Sequence, residues 1–309
     1  MGVVNANRLL IGGAERMSKL DRRSFLARCS VTAAWVAYPN KGGLAASAIE
    51  TEFDSQLSKI QLDPTFAMDD ASILEFAYRQ AGPSVDQRRG NPTLPRRWTS
   101  DKVISTRAFN MILAFEVSSE KAYNQKFTHP IWPGGISGVT AAVGYDFGYQ
   151  SRDNISDDWS DLIDQQNLRR LIAAQGKTGS DAKAMISNLA DVEINWTQAI
   201  SNFRKVLKLY AGETAHYFPG SSDLSADSFG ALVSVVYNRG SSTTKDPKDP
   251  LDRRREMLAI KSLCRDGKFD EIPSQILDMQ RLWKDDPKGR GLLKRRELEA
   301  SLFQIGLAG

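Results

Sequence analysis

Beyond residue 100, apolar residues recur mostly at the spacing of one helix face. The run 104–123, with Phe109, Ile112, Leu113 and Val117 on one side, predicts a long helix. Further helices are predicted at 159–175, 180–190, 195–209, 253–264, 272–282 and 291–305, and one more begins at Ser225 as N-cap. The stretch 138–149 is rich in Val, Thr, Tyr and Gly instead, which is typical of a small hairpin. We therefore expect an α+β fold that is mostly helical.

The N-terminal 48 residues differ from the rest in charge. The chain has 41 Lys and Arg against 37 Asp and Glu, and residues 1–48 contain seven of the basic and two of the acidic ones. The remainder is therefore close to neutral, and the pI near 9.0 does not indicate a nucleic-acid partner. The sequence Asp21-Arg22-Arg23-Ser24-Phe25-Leu26, followed by a weakly apolar stretch and Ala46-Ser47-Ala48, predicts a twin-arginine export signal over 1–48. A basic tail that happens to contain an Arg pair is the alternative.

Two further segments complete the predicted organisation. Residues 49–100 form a helical extension over 49–60 and then a linker interrupted by Gly and Pro, and the sequence leaves open whether the extension packs on the main domain. The main domain is predicted to span 101–309. No apolar run reaches the length of a membrane-spanning helix.

Cysteine and histidine are scarce, which limits the chemistry. Cys29 lies in the predicted signal, so Cys264 has no partner for a disulfide and is expected to be buried and inert. His129 and His216 are the only histidines, so His/Cys metal clusters and His-dependent triads are almost excluded. We expect no metal site and no cofactor.

The strongest candidate chemistry lies between residues 116 and 149. Glu116 follows the apolar run 111–115, where a carboxyl group loses hydration and retains the proton that a general acid needs. Thr140 and Asp146 follow in the Gly-rich stretch, six residues apart, so along a strand they would share a face. The alternatives are a solvated glutamate at position 116 and a turn residue at position 146.

Four motifs in this order resemble the phage-type lysozymes, over about 105–305. The first two are Glu116 with Tyr123, and Gly138-Val139-Thr140 with Gly144-Tyr145-Asp146, which is similar to the pesticin-like branch of lysozyme-like toxins. The third is Ala231-Leu232-Val233-Ser234 through Asn238-Arg239-Gly240, and the fourth is Trp283 with Gly291-Leu292 through Arg295-Arg296 and Glu299. The resemblance implies a lysozyme-like domain whose small hairpin adjoins a catalytic cleft.

The resemblance also implies roles for residues. Glu116 would be the catalytic acid, Asp146 would activate or orient water, and Thr140 would help to hold that water. A water between two carboxyl groups about 6.5–9.5 Å apart implies an inverting mechanism. Tyr145, Tyr149 and Trp132 are candidates for stacking on sugar rings, with a place in the core as the alternative.

The implied activity is a muramidase that cleaves the β-1,4 bond between N-acetylmuramic acid and N-acetylglucosamine, in the periplasm or after secretion. The implied partner is the glycan strand of peptidoglycan. We expect a monomer and no nucleic acid, and the toxin branch leaves open whether an immunity protein exists. A glycan-binding protein, a lytic transglycosylase and a non-lytic helical scaffold are the alternatives.

Four residues depart from the family pattern. Val117 and Gln125 replace a usual Gly and a frequent Asp, and Ala141-Ala142 stands where Ile-Gly is usual, which is expected to shift the hairpin backbone. On the last helix, Arg295 and Arg296 are predicted to form a solvated, salt-bridged face.

Overall fold

The structure is a computed structural model that describes residues 44–63, 98–287 and 289–309. The part of the predicted twin-arginine signal before residue 44 and the predicted linker over residues 64–97 lie outside the described residues. The described α-helices are α1 Leu44–Leu62, α2 Thr106–Val117, α3 Glu120–Lys126, α4 Arg152–Trp159, α5 Gln165–Ile172, α6 Ser180–Met185, α7 Trp196–Tyr217, α8 Ala226–Arg239, α9 Arg255–Arg265, α10 Ile272–Asp278 and α11 Arg290–Ala308. Short 3-10 helices lie at 147–149, 186–189, 221–223, 269–271 and 279–282.

A two-stranded antiparallel sheet completes the described fold. Strand β1 is Thr140–Ala141 and strand β2 is Tyr145–Asp146, and Thr140 lies directly opposite Asp146. Together with the turn 142–144 they form a hairpin over residues 140–146. The predicted α+β class, mostly helical with a small β element, is confirmed.

Helix α8 forms the centre of the helical core. Its residues 228–237 are all buried, and it packs against α11, α7 and α2. A helix that is apolar on nearly every side is stable only when other helices surround it. The Ser225 side chain accepts a hydrogen bond from the Ser228 N–H, so the predicted N-cap is confirmed.

Helix α1 packs on this core, which answers the question that the sequence left open. Its residues Phe53, Leu57 and Ile60 are buried, and the helix contacts α11 and α2. Arg107 of α2 forms ion pairs with Glu50 and Asp54 on its outer side. Because α1 begins at Leu44, it also crosses the predicted boundary between residues 48 and 49.

The predicted helix 104–123 is in fact two helices. Ser118 adopts a left-handed φ of 59° and ends α2, and the Ser119 side chain accepts a hydrogen bond from the Ala122 N–H to begin α3. The predicted helix 159–175 is likewise wrong, because Asp164 caps α5 after a break that follows Trp159. Both breaks use short polar side chains that satisfy free N–H groups.

Within the described parts of the chain, no helix combines the length and the apolarity needed to cross a bilayer.

Ala142 occupies the hairpin turn with a φ of 54°. The backbone at position 142 therefore keeps a left-handed conformation although the residue is not a glycine, at a cost of about 1–2 kcal/mol for an L-residue. We predict that the free energy of unfolding of Ala142→Gly is about 1–2 kcal/mol higher than that of Ala141→Gly, because both changes remove a buried methyl group and add freedom to the unfolded chain, but only Ala142→Gly relieves the strain. Urea unfolding measures the change. Ala141→Gly is the matched control, because Ala141 is equally buried but has an ordinary φ. An Ala142→Gly variant that is no more stable than Ala141→Gly would contradict the argument.

Candidate active site

Glu116 lies in the last turn of α2, beside the core. The buried face of α2, which includes Met111, Ile112 and Phe115, fixes the helix against its neighbours. Glu116 follows Phe115 and keeps 16% of its side chain exposed. The carboxyl group is therefore placed at the rim of the apolar core with access to solvent, as the sequence predicted.

Arg295 of α11 holds one oxygen of this carboxylate. Its Nη1 donates a hydrogen bond of 2.8 Å to Oε1 of Glu116, and its side chain is only 3% exposed. The guanidinium also lies over the Phe115 ring, 5.4 Å from its centre. A buried charge-assisted bond of this kind orients a carboxylate far better than a surface pair does.

The other oxygen of Glu116 faces the hairpin turn. A methyl group placed on Gly144 would lie 3.2 Å from Oε2 of Glu116 and 3.4 Å from the Tyr237 hydroxyl. Tyr237, on α8, donates a hydrogen bond of 2.9 Å to the carbonyl oxygen of Val143 and so ties the turn to the core. Gly144, with a φ of 72°, suits this position because it adds no side chain between the turn and the carboxylate. Oε2 accepts no hydrogen bond from the described residues.

Asp146 lies two residues beyond Gly144 and is buried, with 5% of its surface exposed. Its Oδ2 accepts a hydrogen bond of 2.8 Å from the Gly138 N–H, and its Oδ1 accepts one of 2.9 Å from the Gly148 N–H. A methyl group on Gly138 would lie 2.2 Å from Oδ1, so the backbone approaches the carboxyl group closely. Asp146 therefore binds the two ends of the hairpin together, the arrangement expected of a turn residue.

Thr140 is buried opposite Asp146 across the strand pair. Its hydroxyl lies 3.4 Å from the Gly138 carbonyl oxygen, which is a long contact. A hydrogen bond from the same hydroxyl stabilises the charged form of the Asp146 carboxyl group. A shallow, open depression adjoins Thr140, lined by Phe127, His129, Ile131, Thr140, Ala141 and Ala142. The structure thus brings Thr140 and Asp146 together and places Glu116 beside the same hairpin, at its turn.

Burial raises the pKa of Asp146 to about 7. The N–H groups of Gly138, Gly148 and Tyr149 and the Thr140 hydroxyl act in the opposite direction by stabilising the charged form. The carboxyl group therefore changes charge near neutral pH.

This pKa leads to a prediction for stability. The unfolded chain releases the Asp146 proton near pH 4 and the folded chain near pH 7, so the contribution of Asp146 to stability is complete below about pH 4 and is lost as the pH rises to about 7. We predict that the free energy of unfolding of the wild type, relative to Asp146→Asn, falls across this interval and is flat above it. Urea unfolding of both proteins at several pH values measures the difference. A difference that does not vary with pH contradicts the prediction.

The three aromatic candidates have different environments. Tyr145 is buried, its hydroxyl donates a 2.7 Å hydrogen bond to Asp158, and its ring packs edge-on against Trp159. The Tyr145 ring therefore belongs to the core, which is the alternative that the sequence left open. Tyr149 and Trp132 are half-buried; the Tyr149 hydroxyl donates to the Ile136 carbonyl oxygen, and the Lys183 ammonium lies 5.3 Å from the centre of the Trp132 ring.

The prediction of a solvated face at Arg295 and Arg296 is also wrong. The two side chains are 3% and 0% exposed and pair with Glu299, which is fully buried. Sequence reasoning thus missed Arg295 as the partner of Glu116, and it placed Tyr237 only as a helix residue. The spacing of Arg295 and Arg296 from Glu299, four and three residues, was the available signal, since such pairs meet on one helix face. Cys264 is buried as predicted, and burial raises the pKa of its thiol to about 12.

Comparison with known proteins adds one match. Residues 112–225 match a family model described as a domain of unknown function, DUF8812. The matched segment begins in α2 and ends at the N-cap of α8, so it contains Glu116, Thr140 and Asp146 but not Arg295. No curated protein matches the chain. The chain is therefore similar, over about a third of its length, to a family whose function is not known.

Proposed function

We propose that this protein is a peptidoglycan hydrolase, a muramidase that cleaves the β-1,4 bond between N-acetylmuramic acid and N-acetylglucosamine by general acid catalysis. The supporting observation is the placement of Glu116: one carboxylate oxygen is fixed by a buried arginine, and the other faces the hairpin turn without a hydrogen-bond partner among the described residues. The four motifs that resemble the phage-type lysozymes support this proposal.

The geometry favours a defined proton position. Because Arg295 donates to Oε1, a proton on Glu116 resides on Oε2, which faces the hairpin. A glycosidic oxygen placed at the hairpin turn receives this proton as its bond breaks. Tyr149 and Trp132, both half-buried, remain candidates for contacts with the glycan.

Asp146 activates the attacking water in the proposed inverting mechanism. Its pKa of about 7 lets it accept a proton from water at neutral pH, and Thr140 beside it positions that water. The hydrogen bonds from Gly138 and Gly148 fix the orientation of the carboxyl group for this task.

One observation favours a second candidate, a lytic transglycosylase. Both oxygens of Asp146 already accept backbone hydrogen bonds, and the residue is almost fully buried. If Asp146 serves only to hold the hairpin, Glu116 is left as the sole acid and base, and the sugar's own hydroxyl attacks in place of water, which gives an anhydro end.

The proposed location is the periplasm or the exterior, reached by the twin-arginine route. This proposal rests on Arg22-Arg23 and Ala46-Ser47-Ala48 in the sequence, and the proposed partner is the peptidoglycan glycan strand.

Incubation of the purified protein with peptidoglycan sacculi tests the proposal. The expected result is a fall in turbidity together with release of new sugar ends, and both signals should be absent from heat-treated protein. Sedimentation of the protein with sacculi without any release of soluble fragments would support a glycan-binding protein instead. The absence of both binding and release would favour the helical scaffold.

A further inference from the structure

A charge cluster comprises Glu116 and three buried side chains behind it, Arg295, Arg296 and Glu299. Oε1 of Glu299 accepts hydrogen bonds of 3.2 Å from Nε of Arg295, 3.0 Å from Nη2 of Arg296 and 2.6 Å from the Ser234 hydroxyl. Oε2 of Glu299 is 2.9 Å from Nε of Arg296. Glu299 therefore lies between two guanidinium groups, and Arg295 connects it to Glu116.

The guanidinium of Arg295 is fixed independently of Glu116. Nε bonds to Glu299, and Nη2 lies 3.3 Å from the Ser234 hydroxyl and 3.4 Å from the Ser234 carbonyl oxygen. Only Nη1 is directed at Glu116. Arg295 thus stays in position whether or not Glu116 is charged.

The charges of the cluster depend on the state of Glu116. With Glu116 ionised, two arginines face two carboxylates and the cluster is neutral. When Glu116 takes up a proton, Glu299 is the one anion of the cluster that remains beside two buried guanidinium groups. A buried charge without a partner is costly, so without Glu299 the protonated form of Glu116 would be strongly disfavoured.

We propose that Glu299 is a positioning residue that maintains the protonated, acid-competent form of Glu116 through Arg295. This inference rests on the proposed function in one respect, that Glu116 is the general acid. Arg295 bridges the two carboxylates, 2.8 Å from Oε1 of Glu116 and 3.2 Å from Oε1 of Glu299. At an effective dielectric constant of about 20, a unit charge within roughly 10 Å shifts a titration by about one pH unit.

Other charged and titratable groups lie on the elements that surround Glu116. Arg296 lies behind Glu299 on α11, Tyr237 approaches the same turn from α8, and Asp146 lies on β2. These groups are the same in the wild type and in a Glu299 variant, so a comparison of the two isolates the charge of Glu299.

The test replaces Glu299 with Gln in the full chain, which keeps the size and one acceptor oxygen but removes the charge. The alkaline limb of the pH–rate profile on sacculi, which reports loss of the proton from the general acid, should move to lower pH by about one unit. Glu299→Asp keeps the charge, so its alkaline limb should stay close to the wild-type position. Glu256→Gln is the matched control: Glu256 is also fully buried between arginines, Arg281 and Arg255, but has no contact with Arg295. It should lower the melting temperature without moving the limb.

A second variant keeps the proposal testable if Glu299→Gln does not fold. Arg296→Met removes a positive charge from the cluster and should move the alkaline limb to higher pH, opposite in sign to Glu299→Gln. A structural disturbance alone would shift the alkaline limb of both variants in the same direction, or would shift neither. Shifts of equal sign, or no shift, overturn the proposal.

A readout without turnover separates this inference from the proposed function. The carboxyl ¹³C signal of Glu116, assigned with Glu116→Gln, reports its titration midpoint directly. If sacculi are not cleaved but the midpoint moves to lower pH in Glu299→Gln, the inference holds and the proposed function fails. If sacculi are cleaved and the midpoint is unchanged, the inference fails and the function stands.

Discussion

Glu116→Gln is expected to lower the rate of glycan cleavage by about 10²–10⁴-fold while the fold is kept. Glutamine has the shape of glutamate, and its side-chain oxygen can still accept the hydrogen bond from Arg295. It carries no proton that can be transferred to the leaving oxygen, so the loss falls on the chemical step. The measurement is the release of reducing ends from sacculi, with circular dichroism as the check on folding.

Glu52→Gln is the matched control for this prediction. Glu52 is exposed on α1 and contacts Gln56 of the same helix, so its replacement should leave the rate unchanged. Sacculus binding by Glu116→Gln should persist, because the proton contributes to the transition state more than to the ground state. Retention of more than half of the wild-type rate by a folded Glu116→Gln variant contradicts the assignment.

Arg295→Met is expected to lower the free energy of unfolding by about 3 kcal/mol. Removal of one member of a buried ion pair leaves the others without compensation, which typically costs about 3–5 kcal/mol. Arg296 still pairs with Glu299, so the lower end of this range is expected. The free energy of unfolding of Arg295→Lys should fall between those of the wild type and Arg295→Met, because a lysine cannot donate to Glu116, Glu299 and Ser234 from one planar group.

Arg107→Met provides the comparison for Arg295→Met. Arg107 forms ion pairs with Glu50 and Asp54, but its side chain is 32% exposed, and pairs of that kind contribute at most about 1 kcal/mol. Urea unfolding of both variants measures the two losses. An equal loss in Arg107→Met and Arg295→Met would show that burial does not set the value of the Glu116–Arg295 pair.

Local sequence patterns predicted the elements that depend on local chemistry. Gly content predicted the hairpin, and a capping residue predicted the helix start at Ser225. Apolar spacing predicted the helix that carries Glu116. The break at Ser118 was missed because apolar residues continue at helical spacing on both sides, and only the left-handed φ of Ser118 interrupts the helix.

The environment of the candidate site could not be predicted in the same way. Arg295 and Glu116 are 179 residues apart, and Arg295 and Ser234 are 61 apart, so their contacts depend on how α2, α8 and α11 pack. An arginine on a charged helix segment is usually exposed, and only this packing shows that Arg295 is buried. Asp146 was identified, but its hydrogen bonds to Gly138 and Gly148 depend on a close backbone approach that sequence spacing does not reveal.

Mass spectrometry of the soluble fragments from digested sacculi tests the central claim most directly. A muramidase that uses Glu116 as acid, with water as the attacking group, gives fragments that end in an intact reducing N-acetylmuramic acid. Such fragments should be produced by the wild type and be absent from Glu116→Gln. Fragments that end in the anhydro sugar, one water lighter, would assign the transglycosylase reaction. A wild-type digest without new glycan ends of either kind would contradict the proposed activity altogether.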